Sequence, residues 1–86
     1  MNYNISLNEI SVYNDYSYYF EGKYYIVSLD EETIVEELRN IISIQIDIYY
    51  FRILDLGRIM SNDEILFEIG RHSFTIQKEN FYQNFK

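Results

Sequence analysis

The one histidine, His72, is the first residue whose chemistry must be weighed, because imidazole serves as general base or metal ligand near neutral pH. A metal site would need further soft or nitrogen ligands, yet the chain has no second His and no Cys, so only carboxylates remain. A dyad with the adjacent Ser73 fails on geometry, since neighbours on a strand point to opposite faces. No G-x-S-x-G occurs, and Gly22, Gly57 and Gly70 stand too far apart for a phosphate-binding loop. Glu32 and Glu36 have the i, i+4 spacing of a helix face, but catalytic carboxylate pairs need a cleft and an apolar pocket that raises one pKa. Asn62, Asp63 and Glu64 offer hard oxygens without EF-hand spacing. Neither catalysis nor a bound metal or cofactor is expected.

Tyrosine and acid remain. Six of the ten tyrosines, Tyr13, Tyr16, Tyr18, Tyr19, Tyr24 and Tyr25, fall within thirteen residues, interleaved with Asp15 and Glu21. A half-buried strand hides one face, so some of these rings should be exposed. Tyrosine presents a large rigid area with a polar tip, the property that makes it recur at interaction hot spots. The net charge is −7, with −6 on residues 1–43 and −1 on residues 44–86. An acidic half lacks the clustered Lys and Arg needed to bind nucleic acid directly, and suits a basic protein partner instead. Tyrosine beside carboxylate fits arginine through cation–π contact and charge-assisted hydrogen bonds. The bland alternative is that acidity only keeps a Tyr- and Ile-rich chain dispersed.

These residues need elements to hold them. Eighty-six residues make one small domain, 1–86, and 48% hydrophobic with 19% aromatic content is too rich for disorder. Ser28 and Glu31 have capping-box spacing, followed by Ile34, Leu38, Ile41 and Ile42 on one stripe, which predicts a helix ending near Ser43. Glu32, Glu36 and Glu37 then lie on its outer side. Ile44, Ile46 and Ile48 alternate with polar residues, predicting a strand that runs on to a bend or bulge at residues 55–57. Residues 61–63 read as a turn.

A hairpin over residues 64–77 would turn at Gly70-Arg71, with Ile69 opposite His72, Phe67 opposite Phe74 and Ile65 opposite Ile76. Another hairpin over residues 16–29 turns at residues 21–23, its register left open because both faces carry aromatics. A strand within residues 3–12 precedes it, and residues 78–86 suggest a helical turn with Phe81 and Phe85. The predicted class is α+β, one α-helix packed on a mainly antiparallel sheet in the order β-β-β-α-β-β-β. No basic, long apolar leader opens the chain, and residues 41–56 are broken by Gln45, Asp47, Arg52 and Asp55. A cytoplasmic protein without a membrane span is expected.

In size, acidity and lack of catalytic motifs the chain resembles phage-encoded anti-defence proteins, anti-CRISPR inhibitors among them. The likeness is of general character, so no residue role carries over from it. The expected function is a small acidic inhibitor that blocks a basic nucleic-acid-binding surface of its target. Glu32, Glu36, Glu37, Asp15 and Glu21 would supply charge, and Tyr18, Tyr19 and Tyr25 the anchors. An immunity or antitoxin protein that neutralises a nuclease is one alternative. A structural module that forms homodimers through exposed tyrosines is another.

Overall fold

The computed structural model describes residues 2–66 and 72–79. Its elements run β1 (Asn2–Ser6), β2 (Asn8–Glu9), β3 (Asp15–Phe20), β4 (Lys23–Ser28), α1 (Val35–Ile46), β5 (Phe51–Asp55), β6 (Arg58–Ile59) and β7 (Ser73–Lys78). All strand pairs are antiparallel, in a four-stranded sheet ordered β1-β7-β5-β6 and a three-stranded sheet ordered β2-β3-β4. The class is α+β with one helix among the described residues. The predicted strand in residues 3–12 is two strands that part at Leu7, so the N-terminus contributes to both sheets.

The buried sides of both sheets and of the helix share one hydrophobic cluster. It includes Ile5, Phe74, Ile76 and Ile53 from the larger sheet and Tyr16, Tyr18, Phe20 and Val27 from the smaller one. Val35, Leu38, Ile42 and Ile46 join it from the helix.

The hairpin of residues 16–29 forms, with a turn of two residues, Glu21 and Gly22, where 21–23 was expected, and its register is resolved. Glu21 and Gly22 both have positive φ, 47° and 86°, the signature of a two-residue type I′ turn that matches strand twist. The same device closes β5 onto β6, where a bend or bulge was expected. Leu56 (φ 50°) and Gly57 (φ 83°) link Asp55 to Arg58.

The helix starts later and ends later than predicted. Ser28 does not cap it; its hydroxyl donates to Asp15 Oδ1 at 2.6 Å. Residues 30–33 instead form a tight turn. Glu32 N–H and Thr33 Oγ1 donate to Asp30 Oδ1, and Asp30 N–H donates to Thr33 Oγ1. Such short side chains divert the backbone from helix by offering it local partners. The N-cap position, Ile34, has no side-chain cap, and the first donors are met from far along the chain. Val35 N–H donates to Glu64 O and Glu36 N–H to Asn62 O, so the turn predicted at residues 61–63 closes the helix end.

Residues 44–46 are helical, not the start of a strand. Ile46 continues the buried stripe of Leu38 and Ile42 at i+4 spacing, while Ile44 falls on the opposite side of the helix and is exposed. Asp47, in the left-handed conformation at φ 59°, ends the helix.

The predicted hairpin of residues 64–77 is corrected where it can be seen. Ile65 bridges Ile34, while Ile76 lies between Tyr3 on β1 and Ile53 on β5. Strand β7 is therefore central, with both edges occupied by other strands. The predicted Gly70-Arg71 turn and the partners Phe67 and Ile69 lie outside the described residues. So do Phe81 and Phe85 of the predicted terminal turn, whereas Lys78 belongs to β7.

Candidate protein-binding surface

Antiparallel register sorts the tyrosines of β3 and β4. Tyr18 faces Tyr25, Tyr16 faces Val27 and Phe20 faces Lys23 on the inner side. Tyr19 faces Tyr24, Ser17 faces Ile26 and Asp15 faces Ser28 on the outer side. Tyr18 is fully buried and stacks on the half-buried Tyr25, with ring centroids 5.4 Å apart. Burial, then the neighbouring Tyr25, pushes the Tyr18 hydroxyl far above the ordinary phenol range.

That hydroxyl donates to Gln45 Oε1, and Gln45 Nε2 donates in turn to the Ile26 carbonyl. One helix side chain thus satisfies the buried phenol and one carbonyl of β4, the edge strand of its sheet. Tyr18 is accordingly a core residue and is removed from the expected contact set. Tyr25 is largely committed as well, with Lys23 Nζ 5.4 Å from its ring centre.

Tyr19 keeps the place expected of it. It is 52% exposed and meets Tyr24, 70% exposed, edge-on at 5.1 Å between centroids. Ile26, 61% exposed, follows Tyr24 on the same face. Sequence reasoning missed Ile26, and it counted Tyr24 in the cluster without assigning it to the surface. A register of Phe20 with Lys23, implied by a two-residue turn, would have identified both.

Asp15 is structural as well as acidic. Its carboxylate accepts Ser11 Oγ at 2.9 Å and Ser28 Oγ at 2.6 Å, and these bonds hold it below the usual carboxyl range. Tyr13 N–H donates to Ser11 Oγ, Ile10 N–H to Asp15 O and Leu29 N–H to Asn14 O. Asn14 takes the left-handed conformation at φ 63°. The loop so fixed shows Val12 and Tyr13 to solvent at 86% and 82% exposure. Ordered loops with exposed apolar tips suit binding, because less entropy is lost on docking. Glu21, at the opposite end of the hairpin, is exposed and interacts with the Tyr3 hydroxyl, which burial and then the Glu21 charge and hydrogen bond raise.

The other expected carboxylates form a shelf ahead of and along the first helical turn. Glu36 and Glu37 lie in that turn, but Glu32 precedes the helix, so the predicted Glu32–Glu36 helix face is not formed. All three are exposed, as are Asp30 and Glu31. Among the described residues the two ion pairs are Arg52–Glu79 and Arg58–Glu64, and neither involves residues 30–37.

The remaining candidate chemistry is accounted for by structure. Glu64 accepts both Arg58 guanidinium nitrogens and Ser61 N–H, and Asn62 Oδ1 accepts Arg39. His72 is exposed just before β7, its ring 5.5 Å from that of the buried Tyr16, and its carbonyl accepts Leu7 N–H. Among the described residues no group of three His, Cys, Asp or Glu is placed to hold a metal ion, and no helix is long and apolar enough to cross a membrane.

The Arg58 hydrogen bond, then the Ser61 amide, holds the Glu64 carboxyl below its usual range. A carboxyl lowered by folding stabilises the fold above its unfolded pKa, about 4.3, and ceases to do so as pH falls through the lowered value. Thermal unfolding is therefore expected to give a Glu64→Gln variant a melting point below wild type at pH about 7, with the gap narrowing at pH about 3. A constant gap would place the cause elsewhere.

Compared with known proteins, the chain matches no family model, no curated protein and no solved structure.

Proposed function

We propose that the protein is a small non-catalytic inhibitor that binds the basic surface of a nucleic-acid-handling protein, its carboxylates standing where phosphates would lie. The observation that carries this reading is the exposed shelf of Asp30, Glu31, Glu32, Glu36 and Glu37, with none of the described ion pairs drawing on it. Carboxylates left open to solvent are available to guanidinium and ammonium groups, and their field steers a cationic partner. The general likeness to anti-defence inhibitors agrees with this reading. An immunity protein against a nuclease would use the same surface.

The test replaces Glu32, Glu36 and Glu37 together with glutamine. Lysine is unsuitable, because positive charge in the first turn opposes the helix dipole by about 0.3–1 kcal/mol per site and would weaken the fold itself. Immobilised wild type, in nuclease-treated host lysate, is expected to retain a nucleic-acid-handling protein that salt releases. The triple variant is expected to bind that protein roughly tenfold more weakly, at about 0.5 kcal/mol per exposed charge. Equal retention by both would remove the shelf from the function.

A further inference from the structure

We infer that the outer face of the β2-β3-β4 sheet is a second contact surface, built to receive arginine side chains of a protein partner. The inference rests on the reading that the partner is cationic, and adds which side chains it presents and where they dock. The face is a ladder: Asp15 beside Ser28, then Ser17 beside Ile26, then Tyr19 beside Tyr24. Glu21 stands at the hairpin turn beyond the tyrosines, and the fixed loop carrying Val12 and Tyr13 lies at the Asp15 end.

Asp15 thus places a carboxylate at one end of the face, with the exposed Ile26, Tyr19 and Tyr24 beyond it, whereas the Glu21 carboxylate at the turn is engaged with the Tyr3 hydroxyl. The ladder itself carries no cation, since Lys23 belongs to the inner register with Phe20 and its ammonium lies over Tyr25. From Asp15 to Tyr19 is about 13 Å along the strand, room for more than one guanidinium.

Guanidinium is planar and weakly hydrated, so it stacks on tyrosine while pairing with carboxylate, whereas ammonium gains mainly from charge. The edge-on Tyr19–Tyr24 pair, exposed on this face, gives such a group an aromatic seat. A second copy of the chain fits less well. Self-docking would bring Asp15 against a face that carries no base to offset its charge.

The test measures binding of the full-length protein to an oligoarginine peptide and to an oligolysine peptide of equal length, by fluorescence anisotropy at low salt. Wild type is expected to prefer oligoarginine by about fivefold. Tyr24→Thr, which keeps strand propensity, is expected to remove that preference, and Ile26→Thr to leave it while weakening both peptides. Circular dichroism checks that each variant is folded, and Tyr19→Ala replaces Tyr24→Thr should the latter not fold. A preference that survives in the folded variants overturns the inference. In that event, weakening of both peptides by the glutamine triple would leave the acidic-shelf reading standing while the inference falls. If neither peptide binds wild type, that reading falls as well. Concentration-dependent dimerisation abolished by Tyr24→Thr would make the face a self-interface and also overturn the inference.

Discussion

Replacing Tyr18 with alanine is expected to destabilise the fold by about 3–5 kcal/mol, the range for removing a fully buried aromatic side chain. A domain of this size is stabilised by only about 5–15 kcal/mol in total, so the variant should be largely unfolded at modest urea. Two losses combine. The ring leaves a cavity against Tyr25, and Gln45 Oε1 loses the hydroxyl that donates to it. Tyr18→Phe separates them, and should cost about 1–2 kcal/mol for the orphaned acceptor alone. Tyr24→Thr, on the exposed face, should change stability by about 0.5 kcal/mol or less. Urea unfolding followed by circular dichroism distinguishes the three. A stable Tyr18→Ala protein would return that residue to the binding surface.

Ile76→Ala should cost about 2–5 kcal/mol, because the side chain is fully buried on the central strand of the larger sheet. Its value lies in the partners. Ile76 is in register with Ile53, so a double-mutant cycle between them should give a coupling of about 0.5–3 kcal/mol. The cycle of Ile76 with Ile65 should be additive to about 0.5 kcal/mol, since Ile65 bridges Ile34 instead. The reverse pattern would favour a hairpin of residues 64–77 over the observed sheet.

These two cases mark what sequence could and could not reveal. The hairpin of residues 16–29 was legible, because a glycine turn between alternating aromatic strands is a local signal. Which of its faces is exposed required the register, and that follows from Glu21 and Gly22 forming the turn without Lys23. The helix boundaries were not legible, because the donors of its first turn are met by Asn62 and Glu64 carbonyls almost thirty residues away. The alternation of Ile44, Ile46 and Ile48 misled because Ile46 also stands four residues after Ile42 on the helix stripe, and Ile44 is an exposed apolar residue on the far side of the helix. The placement of β7 between β1 and β5 joins opposite ends of the described chain, and no local pattern carries such pairing.

The candidate surface divides the same way. Exposure of Glu32, Glu36 and Glu37 followed from composition and spacing, although Glu32 lies before the helix and not on it. Tyr18, Tyr19 and Tyr25 are indistinguishable as residue types, and the inner or outer side of one hairpin separates them. The role of Asp15 was only half visible. Its charge was apparent, but its grip on Ser11 and Ser28 depends on strand pairing that brings Ser28 across from it.

Under the proposed function, the protein competes with nucleic acid for a cationic protein surface. The most direct test titrates wild type into a complex of the captured partner with a fluorescent oligonucleotide. Release of the oligonucleotide in proportion to bound protein, weakened by the glutamine triple and by Tyr24→Thr, is the predicted result. A stable ternary complex that retains the oligonucleotide at saturation would contradict the claim.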